Sequence, residues 1–185
     1  MGFRTQFLRN ESGIAVTEFA IASGFFMILL LGGFELSRAV LVNQKVEKVA
    51  YITADVTSQA TVLTADQMDE YLLAASQVMD PFEFAENGVV IVTSVERDPG
   101  DVQRIRWQYE GGGSLEAESR VGLAVGVTAV LPEGLIINER DNVIVAEVFY
   151  RYTPMFAANG LYEETDIYKT AVFKPRLGAL TTAPQ

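Results

Sequence analysis

The chain contains no cysteine and no histidine among its 185 residues. These absences remove thiol nucleophiles, disulfides, histidine general bases and the usual zinc ligands. Little catalytic chemistry is left, and no catalytic residue, metal ligand set or cofactor is expected. A cysteine-free chain suits a reducing or an oxidising compartment equally, so it permits export without requiring it. Basic residues are also scarce: 14 Lys and Arg stand against 24 Asp and Glu, a formal charge of −10. Nucleic acid favours a basic partner, so it is not an expected ligand. The basic and aromatic residues interleaved at Arg104, Arg106, Trp107 and Tyr109 read as the two sides of a strand, with Ile105, Trp107 and Tyr109 on the apolar one.

What the chain has in excess is one apolar block. From Ile14 to Val42 the charged residues are Glu18, Glu35 and Arg38, and Phe19–Phe34 carries no charge. Those 16 residues rise about 24 Å as helix. A hydrocarbon core of about 30 Å needs about 20 residues, which helix continuing at both ends supplies. One membrane-spanning helix is expected, in contact with lipid. A cleaved secretory signal has an apolar run of about 7 to 15 residues followed by small residues. Here Glu35, Leu36 and Arg38 follow the run instead. Arg4 and Arg9 before the span face Arg38, Lys45 and Lys48 after it, so the positive-inside rule leaves the orientation open.

Beyond the span, Val42, Val46, Val49, Thr53, Val56 and Ala60 repeat at alternating spacings of four and three, a heptad-like stripe. One helix over residues 14–60 is expected, amphipathic where it leaves lipid. Thr64 and Gln67 form a capping-box pattern. They open a second helix carrying Met68, Tyr71, Leu72, Ala75, Val78 and Met79 at helical spacing, closed by Pro81. Four strands are expected at 88–96, 101–110, 143–152 and 166–174, the first two joined through Arg97-Asp98-Pro99-Gly100. Residues 111–119 have loop composition and lack a phosphate-binding ending. Val121–Leu131 is apolar but too short for a second span, and is expected to be a buried segment or a short strand. Asp98 with Asp101, and Glu163, Glu164 and Asp166, are acidic clusters without the spacing of an established calcium loop. The fold class is α+β: a long membrane-spanning helix, a second helix and a small antiparallel sheet of about four strands. Residues 61–185 form the domain outside the membrane and are expected to fold once the membrane helix is removed.

The N-terminal residues carry a resemblance. A basic leader ends at Gly13, an apolar helix follows directly as Ile14-Ala15-Val16-Thr17-Glu18-Phe19, and Glu18 stands fifth after the glycine. This resembles type IV prepilins. The Glu18-Phe19 pair resembles the tight-adherence branch, and the TadE-like minor pilins within it. Weaker patterns follow in the same order as in TadE-like proteins: Leu131-Pro132-Glu133-Gly134-Leu135, Tyr150-Arg151-Tyr152-Thr153-Pro154 and Lys174-Pro175-Arg176.

The resemblance implies a leader of residues 1–13 cut between Gly13 and Ile14 by prepilin peptidase. It places the leader in the cytoplasm and the C-terminal domain on the far side of the bacterial inner membrane. It also makes other pilins and the pilus assembly platform the partners, and Glu18 and Phe19 the residues that pair subunits. The role implied is structural or in assembly, supporting pilus biogenesis and adhesion, with no enzyme activity and no small-molecule substrate. Independently of the family, a carboxylate in an apolar helix calls for a partner. Cleavage would create the Ile14 ammonium one turn from Glu18. The alternative is a signal-anchored binding or sensory domain unrelated to pili.

Overall fold

A computed structural model describes residues 11–156 and 164–185, with side chains from Gly13. Residues 1–10 of the leader, with Arg4 and Arg9, the loop residues Asn159 and Gly160, and Glu163 lie outside the described residues. The elements run α1 (Glu11–Ser58), α2 (Ala65–Gln77), α3 (Phe84–Asn87), β1 (Gly88–Arg97), β2 (Gln103–Gly111), a 3-10 turn at Pro132–Gly134, β3 (Asn142–Tyr152) and β4 (Thr165–Phe173). The chain divides into two compact units, Met1–Ala39 and Val40–Gln185.

The second unit is built on a four-stranded sheet in the order β2-β1-β3-β4, antiparallel throughout. Strand alternation gives the sheet two apolar faces, and each is covered differently. On one face lie Val90, Val92, Ile144, Ala146 and Val148, all buried. The helices cover this side. Val42, Val46, Val49, Ala50, Thr53, Ala54 and Thr57 of α1 are buried. Tyr51 meets the ring of Phe173 edge-on at 4.9 Å, and Phe84 of α3 stacks on Tyr150. The heptad-like stripe is thus filled by this chain's own sheet for four of its six positions, while Val56 and Ala60 are half-buried. The α2 helix opens at the expected capping box: the Gln67 N–H donates to Thr64 Oγ1 at 3.2 Å and the Thr64 N–H to Gln67 Oε1 at 3.1 Å. Two of the backbone donors orphaned at a helix start are satisfied this way.

The other face is covered by the long β2–β3 connection. Val95, Ile105, Val143 and Val145 pack there with Val121, Ala129, Leu131 and Ile137 of that connection. Here the structure corrects two expectations. The β1–β2 register shifts between Ser94, opposite Trp107, and Val95, opposite Ile105, so Arg106 is the extra residue of a bulge. The bulge reverses the parity of β2. Trp107 and Tyr109 face the helices, while Ile105 faces the connection instead of sharing their side.

The second correction concerns Val121–Leu131, which is neither a strand nor buried as a whole. Its ends are tied by the Val130 N–H donating to the Val121 carbonyl, and only Val121, Ala129 and Leu131 are buried. Its middle bonds to the β2 edge through the Ile105 N–H to the Val127 carbonyl and the Gly126 N–H to the Ile105 carbonyl. The connection also starts with a close approach. A Cβ on Gly113 would sit 2.1 Å from the Gly88 carbonyl oxygen, and Gly112 has φ +78°. Only glycine suits both demands.

After β4 the chain crosses back beneath the sheet. The Leu180 carbonyl accepts from Trp107 Nε1 at 2.8 Å and Ser94 Oγ at 2.6 Å, and the Leu180 N–H donates to Asn142 Oδ1 at 2.9 Å. One buried backbone unit thereby satisfies three buried polar side chains.

Candidate membrane and assembly interface

The first unit is helical where it is described, from Glu11 onward. Residues 13–39 rise about 40 Å at 1.5 Å per residue, enough to cross a bilayer core. The apolar side chains of this stretch are open: Ile14, Val16, Phe19, Ile21, Phe25, Phe26, Ile28 and Leu30 are all more than half exposed. In water such a surface would be a liability. In lipid it is the expected one, and every polar group must then be satisfied internally. The hydroxyls of the span meet that demand. Thr17 Oγ1 donates to the Ile14 carbonyl at 2.8 Å, Ser23 Oγ to the Ala20 carbonyl at 2.9 Å and Ser37 Oγ to the Gly33 carbonyl at 2.8 Å. Among the described residues, this is the one helix long and apolar enough to cross a membrane.

Gly13, Ile14, Glu18 and Phe19 all lie on this helix and are exposed. Ile14 and Glu18 are one turn apart, on one face. Phe19 is 73% exposed and flanks a shallow apolar groove with Ala22, Ser23, Phe26, Met27 and Leu30. The Gly13–Ile14 bond lies near the N-terminal end of the described part of α1. Glycine there weakens the helix by about 1 kcal/mol relative to alanine. Glu35 and Arg38 share a face toward the other end of the span.

In the second unit three of the acidic residues singled out from sequence are held by arginines, and Glu164 accepts from Thr153 Oγ1 at 3.4 Å. Asp98 pairs with Arg104 at 2.8 Å and with Arg106, Asp101 with Arg97, and Asp166 with Arg151 at 3.0 Å. Asp166 in turn raises the Arg151 guanidinium above its ordinary pKa, chiefly through their hydrogen bond. Among the described residues no group of three or more carboxylates is placed to hold a metal ion.

One residue that the sequence reading passed over is Glu147. It lies on β3, fully buried, facing the β2–β3 connection. Its carboxylate accepts from Ser119 Oγ, from the Arg120 N–H at 2.9 Å and from Tyr168 Oη at 2.9 Å. Burying a charge is tolerated only when such partners are supplied. Arg120 completes the arrangement by placing its guanidinium 4.0 Å from the Tyr168 ring centre. Burial first, and then the charge of Glu147, push the Tyr168 hydroxyl up to about 12. The signal was a lone glutamate inside the otherwise apolar VIVAEVFY run.

The long apolar helix fits a single-pass membrane anchor and continues into an α+β unit. The family model of TadE-like protein matches residues 13–55, beginning at Gly13 and ending inside α1. The resemblance drawn from Gly13, Glu18 and Phe19 is borne out over that stretch, and it points to a component associated with a tight-adherence pilus. No curated protein and no solved structure matches the chain.

Proposed function

We propose that this chain is a minor pilin or pseudopilin of a tight-adherence type IV pilus, acting in assembly and not as an enzyme. The observation that carries the reading is the family match starting at Gly13, with Glu18 five residues on in an exposed apolar helix. In this reading prepilin peptidase cuts between Gly13 and Ile14, on the cytoplasmic side of the inner membrane. The helix then stays in the bilayer with the α+β unit on the periplasmic side. The freed Ile14 ammonium, with a reference pKa near 8, pairs with Glu18 of its own or a neighbouring chain. Phe19 packs against other pilins or the assembly platform, and the protein supports pilus biogenesis and adhesion. The test is mass spectrometry of the mature protein from cells with active peptidase. The expected N-terminus is Ile14, and Gly13→Leu should leave the precursor intact. Retention of Met1, or normal cleavage of the leucine variant, would instead favour a signal-anchored binding domain.

A further inference from the structure

The sheet has two edges, and the molecule treats them differently. An open edge is a row of unpaired backbone donors and acceptors that templates another strand. On β2 much of that row is closed by the chain itself: the Ile105 N–H donates to Val127, the Gly126 N–H to Ile105 and the Ala129 N–H to Gln103. On β4 the ladder to β3 runs for nine residue pairs without a register shift. Among the described residues, no backbone bond is made from the outer side of Asp166–Phe173. From Thr165 to Phe173 the strand has no proline and no bulge to blunt it, and Pro175 comes only after its last pair. Lys169, the residue that would discourage pairing by its charge, lies 3.6 Å from Glu47 of α1.

The charges along this edge are segregated. Glu164 and Asp166 stand at its start and Lys174 just past its end, while Arg176 is turned to Asp55 and Ser58 of α1. Turned antiparallel against itself about Thr170, the strand sets Ile167 opposite Phe173 and Tyr168 opposite Val172, and brings Asp166 opposite Lys174, the residue that follows its last pair. Residues facing each other in this register are of equal parity, so each face of the sheet continues across the join. The side chains of Asp166 and Lys174 are 70% and 64% exposed, although each already touches a partner in its own chain, Arg151 and Asp141. Opposite-charge and aromatic to β-branched pairs are the contacts that stabilise facing strands.

We infer that β4 is a self-association edge: a second copy of this chain pairs with it antiparallel about Thr170, giving one continuous eight-stranded sheet across a two-fold axis. The inference does not depend on the pilus reading. Directly opposed residues lie about 4.5–5.5 Å apart between Cβ atoms, within the range that a disulfide can bridge with small adjustment.

The natural chain has no cysteine, so a Thr170→Cys variant reports on this contact alone. Full-length protein would be reconstituted in lipid vesicles and oxidised, with Leu73→Cys on exposed α2 as the reference for random collision. Thr170→Cys should give at least threefold more reducible dimer. On that background Asp166→Lys or Lys174→Asp should lower the yield at least threefold, and the two together should restore it. The double variant still sets Lys against Arg151 and Asp against Asp141, so rescue can come only from across the two-fold. A Thr170→Cys chain that stays monomeric, couples to a different protein or dimerises no better than Leu73→Cys overturns the inference. So does a double variant as weak as the singles.

Discussion

Glu147 fixes the β2–β3 connection to the sheet with three donors, two of them, Ser119 and Arg120, on the connection itself. Glu147→Ala removes the shared acceptor of the half-buried Ser119 and Tyr168 hydroxyls and of the Arg120 N–H. Each unsatisfied buried group costs about 1–3 kcal/mol, so a loss of about 2–4 kcal/mol is expected in urea unfolding of the protein. Faster amide exchange at Val121 and Val130 should accompany it. Equal stability and unchanged exchange would mean that apolar packing alone holds the connection. Tyr168 gives the same cluster a pH signature. Its hydroxyl titrates near 10 when unfolded and at about 12 in the folded protein, so between those values the native state binds more protons. The stability it contributes is complete below about pH 10 and is lost as pH rises toward 12. Comparing urea midpoints at pH 8 and pH 11, Tyr168→Phe should start lower but fall less. A parallel fall in both proteins would assign the alkaline loss elsewhere.

At the scale of elements, the α1 residues from Val42 to Ser58 are the cover of the sheet's helical face as much as the continuation of the span. A fragment beginning at Val40 keeps that cover, whereas one beginning at Val62 leaves Val90, Val92, Ile144, Ala146 and Val148 without it. The Val40 fragment should melt cooperatively, and the Val62 fragment should melt broadly with strong binding of an apolar dye. Cooperative melting of the shorter fragment would show that α2 and the tail suffice. The stripe was legible because helical period and burial coincide, as were the capping box at Thr64 and all four strands, whose ends moved by only one or two residues. The bulge at Arg106 was not legible. A single inserted residue reverses side-chain parity without changing composition, and nothing in QRIRWQY marks where it falls. Val121–Leu131 misled for a related reason. Aliphatic content predicts burial, but this segment is held by backbone bonds to the β2 edge, which leave Leu123 and Val125 in solvent.

For the whole molecule, the family resemblance was legible at the N-terminus because a long apolar helix has a sparse grammar, in which one glycine and one carboxylate stand out against exposed apolar side chains. Glu18 is the residue on which the assembly reading turns. A carboxylate costs up to about 2.5–3.5 kcal/mol at the bilayer centre and less toward an interface, and the intact chain has no free amine at Ile14 to offset it. The proposed job of Glu18 therefore begins only after cleavage, which separates its role from that of Gly13. Glu18→Ala should be processed normally, since it lies beyond the cut, but should leave the new ammonium near lipid without a carboxylate one turn away. Pilus assembly should then fall by at least tenfold, read as fibres per cell at matched amounts of processed protein in the membrane. Glu18→Asp keeps the charge with one methylene less reach and should fall between. Matching the membrane levels matters, because an uncompensated ammonium also lowers retention, and lost protein would imitate lost assembly. Normal piliation by the alanine variant at equal levels would reduce Glu18 to an ordinary interfacial charge, and would leave Phe19 and the exposed apolar face of the span to select neighbouring subunits.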